Sequence, residues 1–151
     1  MIVYRIGITK FSAEITGEGA RLNGGRWNHK LTPCIYTSES RSLALLEYTV
    51  NVSIDEIPRA LSFTMFEIPD AAIRELKESE LPGNWKDIPA PSSTKDLGTA
   101  VLKEAKALVL KIPSIVISEE FNYILNPSHA DCKKFKILFI QDFVFDVRIK
   151  K

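Results

Sequence analysis

Cysteine is scarce in this sequence of 151 residues: Cys34 and Cys132 stand alone. Two thiols cannot build a disulfide framework, and a reducing cytoplasm is the expected compartment. No apolar run approaches the roughly 20 residues that a membrane-spanning helix needs. The first ten residues, MIVYRIGITK, have neither the basic head nor the apolar stretch of a secretory signal. Charge of one sign is missing as well. Twenty basic residues face nineteen acidic ones, a formal net charge of +1. Such balance disfavours a dedicated nucleic-acid or membrane surface unless charge is locally segregated. Neither GxxxxGK[ST] nor GxGxxG occurs, and there is no internal repeat. Only two histidines are present. His129, Asp131 and Cys132 lie close together, but Cys34 is distant and His29 belongs to another loop, so no standard metal-ligand spacing exists and no metal site is expected.

The composition, 45% apolar and 26% charged, is that of a folded protein, and the length suits one domain over residues 1–151. IVYRI reads as an opening strand, PCIYTS as a short buried one, and ALSFTMFEI as a half-buried strand alternating Leu61, Phe63 and Met65 with Ser62 and Thr64. SRSLALLEYTVNV reads as a helix capped by Ser38 or Ser40, and PDAAIRELKESEL as a second helix capped by Asp70. LPGNWKDIPAPSST is an irregular loop, and STKDLGTAVLKEAKALVL a helix of about four turns. SIVIS reads as a strand, EEFNYILNPSHADC as a mixed segment broken at Asn126-Pro127, and KFKILFI with FVFDVRI as a closing hairpin through Gln141-Asp142. Strands and helices mix without strict alternation. The expected fold is therefore α+β, with a mixed, largely antiparallel central sheet flanked by helices.

Four polar residues stand out. On a helical wheel centred on Leu43, Leu46 and Val50 fall within about 60°, and Glu47 about 40° to the other side, at the edge of the face expected to be buried. A carboxylate there either reaches water or projects into a polar pocket, since burial without a partner is costly. Arg26 follows Gly24 and Gly25. Tandem glycines permit close backbone approach, and a guanidinium binds phosphate oxygens bidentately, although a plain turn would contain the same residues. Tyr36 could stack on a flat heterocycle or simply pack. Ser114 has no histidine placed to activate it, which favours a hydrogen-bonding role over a nucleophilic one.

Order along the chain is more specific than any single motif. YRI at residues 4–6, GEGARLNGGRWN, YTSES and LALLE, then FEIPD, LPGNW, LGTAVL, IPSIVISEEFNYILNP and FDVRI together resemble the RES domain family, toxins of Xre–RES toxin–antitoxin pairs. Leu31 stands where that family usually has glycine, Val101 where tryptophan is common, and Ser128 and Ala130 where alanine and proline are more usual.

The resemblance implies an ADP-ribosyltransferase-like fold and an enzyme that degrades NAD⁺ at the nicotinamide–ribose bond, by phosphorolysis or hydrolysis. NAD⁺ would be the substrate and phosphate a possible co-substrate, with no resident cofactor. Motif by motif, it makes Arg26, Tyr36, Glu47 and Ser114 the catalytic set. Arg5, Gly25 and Asn126 join Arg26 and Tyr36 as substrate-binding residues. In that arrangement Glu47 stabilises positive charge developing on the ribose. Arg26, with Arg5, clamps the pyrophosphate. Tyr36 packs on nicotinamide or ribose, Ser114 hydrogen-bonds the carboxamide or a ribose hydroxyl, and Trp27 anchors the loop. An Xre-like DNA-binding antitoxin is the implied partner, and a homodimer is plausible on the same footing. Two other readings stand beside it: transfer of ADP-ribose to a protein target, and a nucleic-acid-binding module using Arg21, Arg26, Trp27 and Tyr36.

Overall fold

The computed structural model describes residues 1–150. Its centre is a seven-stranded sheet. The strands are β1 (Ile2–Ile8), β2 (Ile35–Ser38), β3 (Leu61–Glu67), β4 (Ile73–Glu75), β5 (Val109–Pro113), β6 (Phe121–Leu125) and β7 (Lys136–Phe143). Their order is β4-β5-β6-β2-β1-β3-β7. Only β4 and β5 run parallel; the other neighbours are antiparallel, as the mixture of elements in the sequence predicts. Three helices, α1 (Glu18–Asn23), α2 (Arg41–Asn51) and α3 (Ser92–Glu104), complete the domain.

α2 starts where its sequence says it should. Ser40 is extended, and its side chain accepts a hydrogen bond from Leu43 N at 3.1 Å, satisfying one of the open amides of the first turn. Leu43 and Ala44 are buried, but Leu46 and Val50 are exposed. The wheel is thus right for Leu43, while the flank of that face carrying Leu46 and Val50 opens on solvent.

Several elements differ from expectation for identifiable reasons. β3 is buried along its length except at Glu67, because it lies between β1 and β7 and is covered on both faces. Ser62 and Thr64 are accommodated by hydrogen bonds, Thr64 Oγ1 donating to Ser12 O at 2.7 Å. Residues 69–81 are not a helix capped by Asp70. They form two short 3-10 turns flanking β4, which adds to the sheet edge beside β5. α3 stops at Glu104, where Ala105 takes φ +53°, and LVL passes into β5. SIVIS is consequently a loop after β5 rather than a strand. The expected closing hairpin is one continuous strand, β7, which runs beside β3 in antiparallel register through Gln141 and Asp142; residues 144–150 form no further strand.

Leu31 adopts φ +77° with its side chain 76% exposed. A leucine in the left-handed region is strained by roughly 1–2 kcal/mol, and this one buries little in return. Leu31→Gly is expected to raise stability by about 0.5–1 kcal/mol, the remainder being offset by the freer unfolded chain. Urea unfolding at constant m-value measures it.

Candidate active site

β1 and β2 share a single residue pair, Tyr4 opposite Ser38, and then diverge. The split between them is the floor of a cleft of about 690 Å³, walled by α2, by the loop carrying Gly24–Trp27, by residues 88–90 and by Lys95. Arg5, Gly25, Arg26, Tyr36 and Glu47 all line it. Five of the positions singled out from the sequence therefore meet in one place.

Glu47 is the most tightly specified of them. It lies one helical turn beyond Leu43 on α2, and its Oε1 accepts two hydrogen bonds of 2.6 Å, from Ser114 Oγ and from Asn122 Nδ2. Asn122 is fixed in turn by Ser38, its cross-strand partner in the β2–β6 pair, whose Oγ donates to Asn122 Oδ1 at 2.6 Å. Ser114 is fully buried, and its oxygen also accepts from Val116 N and Ile117 N. Among the described residues nothing donates to Glu47 Oε2, and no buried side-chain oxygen lacks a partner; Oε2 is thus accessible, on a side chain that lines the cleft. The helix supplies position, the two donors orientation, and one carboxylate oxygen is free for chemistry.

Arg26 lines the same cleft from the loop after α1. Its Nη1 donates to the carbonyls of Trp85 (3.0 Å) and Asp87 (2.8 Å), which leaves Nη2 and Nε for a ligand. Partial burial lowers its pKa from the ordinary arginine value, while Glu47, Tyr36 and Asp87 act to keep the charge. The loop behind it is built on Asn28, fully buried, whose Nδ2 donates to the carbonyls of Ala20 and Thr32. Asn28 Oδ1 accepts from the Tyr36 hydroxyl at 2.6 Å, and that hydroxyl accepts from Trp27 N at 3.0 Å. Burial pushes the Tyr36 phenol well above its usual pKa, so it titrates far from neutrality.

The glycine before Arg26 proves to serve the tyrosine. A Cβ at Gly25 would lie 2.6 Å from Tyr36 Oη and 2.9 Å from its ring, so the close approach is to a side chain of the protein itself. Trp27 is buried against Trp85, ring centroids 6.5 Å apart, and anchors the loop as expected. Its carbonyl meets α3 at Gly98, where a Cβ would fall 1.9 Å away.

Three sequence assignments change in role. Ser114 is enclosed and saturated, so it positions Glu47 and does not reach a ligand. Arg5 turns its guanidinium to Ser12 O at 2.9 Å and to Glu14 at 3.9 Å, with the Phe66 ring 5.0 Å away. Burial lowers the pKa of Arg5, with Glu14 opposing. Asn126 lies outside the cleft: its Nδ2 holds the carbonyls of Leu102 and Ala107, tying α3 to the turn after β6. Asn126→Ala is expected to cost about 2 kcal/mol by stranding buried carbonyls. Ligand affinity of the folded fraction should be unchanged, which paired denaturation and binding titrations would measure.

The residues sequence reasoning missed are Asn28, Asn122, Ser38 and Lys95. Asn28 is visible within GGRWN; the others depend on the pairing of β2 with β6 and on the docking of α3. Among the described residues no group of three or more His, Cys, Asp or Glu side chains could hold a metal ion, and no helix is long and apolar enough to cross a membrane.

The sequence profile of the RES domain matches residues 2–147. The chain belongs to the RES domain family. A protein named Toxin Res from Yersinia enterocolitica is 37% identical over 99% of this chain and all of its own length. One of the same name from Photorhabdus laumondii is 34% identical over all of this chain and 98% of its own. A Sphingobium protein named Prs ADP-ribosylating toxin is 29% identical, covering 90% of this chain and 86% of that one. Among solved structures, a chain of the Mycobacterium tuberculosis MbcT–MbcA toxin–antitoxin complex superposes with a TM-score of 0.78 at 18% identity, over 95% of this chain and 84% of the other. At that identity the likeness speaks for the fold alone.

Proposed function

We propose that this RES domain is the toxin of a toxin–antitoxin pair and acts by cleaving the nicotinamide–ribose bond of NAD⁺. The observation that carries the reading is Glu47: a carboxylate on a rigid helix, oriented by two neutral donors through one oxygen, lining a cleft that Arg26 also lines. Relatives named as toxins at 34% and 37% identity supply the biological setting.

The chemistry derives from those groups. As the C1′–N bond breaks, its electron pair leaves with nicotinamide, which becomes neutral, and positive charge spreads over C1′ and the ring oxygen. A fixed carboxylate below that sugar stabilises the charge without any reorganisation at the moment of reaction. The acceptor, phosphate or water, forms the new bond to C1′ and loses a proton to solvent when it is water. Arg26 holds the diphosphate and so fixes where the ribose falls relative to Glu47. Tyr36 lines the cleft with its hydroxyl committed to the Asn28–Trp27 loop, which leaves its ring for contact with the ligand.

Purified protein incubated with NAD⁺, with and without phosphate, and analysed by mass spectrometry separates the outcomes. Phosphorolysis yields ADP-ribose phosphate only in the first buffer, and hydrolysis yields ADP-ribose in both. Persistence of NAD⁺ in both would sink the reading. A second reading, transfer of ADP-ribose to a protein, is favoured by the Sphingobium relative named for that activity. Labelled NAD⁺ in lysate would then give a discrete protein band. An antitoxin that occludes the cleft completes the proposal, suggested by the fold shared with a chain of a toxin–antitoxin complex.

A further inference from the structure

The cleft is lined by three cations, Arg5, Arg26 and Lys95, and one carboxylate, Glu47. Their charges are answered very differently. Arg5 is paired with Glu14 and bonded to Ser12 O. Arg26 rests on two carbonyls, which are dipoles and leave its charge unneutralised. Lys95 is in no ion pair among the described residues, although the adjacent Asp96 is engaged by His29 Nε2 at 2.6 Å. The lysine is half-exposed and lines the cleft, its stem packed on the wall and its ammonium free of any carboxylate partner among the described residues.

Its location relative to Arg26 is set by how α3 is docked. Gly98 is pressed against the Trp27 carbonyl, and His29 N donates to Thr99 Oγ1 at 2.9 Å. The second turn of α3 is thus fixed on the segment that carries Arg26. Lys95 precedes Gly98 by three residues, on the same face of the helix and one turn nearer its start. From the other direction, the carbonyls of Trp85 and Asp87 grip Arg26, and the chain then lines the cleft through Ile88–Ala90 before entering α3. Arg26 and Lys95 are therefore carried into one cleft by two segments docked on each other. Lysine in the first turn sits at the unfavourable, positive end of the helix dipole. A bound anion would relieve that conflict and the uncompensated charge together.

We infer that Lys95 is the second diphosphate ligand of the cleft, acting with Arg26 on the nucleotide diphosphate, while Arg5 is held back by Glu14. This rests on the reading of the cleft as an NAD⁺ site. The shared chemistry is a phosphate oxygen, and inorganic phosphate as co-substrate is the competing source.

Calorimetric titration with ADP-ribose, adenosine and inorganic phosphate tests it. Lys95→Ala should weaken ADP-ribose about tenfold and Lys95→Glu about a hundredfold, in line with loss of a charge-assisted contact and its replacement by repulsion. Lys95→Arg should stay within a few-fold of the parent. Adenosine, which lacks the diphosphate, should bind all four alike, and Lys103→Ala on the exposed side of α3 should change nothing. ADP-ribose binding unaffected by Lys95→Ala would overturn the inference. So would a loss seen only in phosphate affinity, which would place Lys95 at the acceptor. If the parent binds ADP-ribose through Lys95 but releases no nicotinamide from NAD⁺, the cleavage reading fails and the diphosphate site stands. A parent that binds no ADP-ribose overturns both.

Discussion

Glu47→Gln should lower NAD⁺ turnover by about two to three orders of magnitude with little change in KM. The substitution keeps shape and leaves an oxygen to accept from Ser114 and Asn122, but it removes the charge that faces the ribose. One aimed electrostatic group commonly contributes about 3 kcal/mol to a transition state, and a loss confined to kcat is the mark of an interaction made mainly there. Steady-state kinetics on the folded variant provide the numbers, with Glu47→Ala as companion. In cells the same change should abolish growth arrest at equal protein level. Asn122 and Ser114 should give intermediate losses, because they orient the carboxylate without touching substrate.

The second large effect is on stability. Gly98→Ala places a methyl group 1.9 Å from the Trp27 carbonyl, a backbone atom that no rotamer change can move aside. α3 must lift off the Arg26 loop. Overpacking of this severity should cost about 3 kcal/mol, which for a domain of this size lowers Tm by roughly 6–12 °C. Thermal unfolding measures the first part, and a rise in KM for NAD⁺ in the residual folded protein would report displacement of Arg26 and Lys95. Ala100→Gly on the exposed side of the same helix serves as the control, with an expected loss of about 1 kcal/mol from propensity alone.

Much of the candidate site is legible in the sequence because its residues are held by local structure. Arg26 follows its glycines in one loop, Tyr36 sits in a four-residue strand, and Glu47 is placed by a helix whose cap, Ser40, is explicit in the sequence. Contacts between distant segments are not legible in this way. Asn122 and Asn126 look alike in FNYILNP. Only the register Ser38–Asn122 turns one toward Glu47, and only the end of β6 at Leu125 sends the other into the α3 junction. The wheel of α2 wrongly assigns Leu46 and Val50 to the core because periodicity cannot distinguish an apolar face that meets the core from one left open, as Val50 is on the cleft. Periodicity likewise hides the short β4 inside a helix-like pattern, puts a turn at Gln141-Asp142 where β7 runs on beside β3, and reads FVFDVRI as a strand although β7 ends at Phe143. Gly25 is a site of close approach, as its tandem with Gly24 suggests, but the neighbour is Tyr36.

Release of free nicotinamide from NAD⁺ is common to phosphate, water and protein as acceptors, and it tests the role of Glu47 directly. The parent chain should release one nicotinamide for each NAD⁺ consumed, and folded Glu47→Gln should release it at roughly a hundredth of that rate or less. Equal release by the two proteins, or none from the parent, would contradict it.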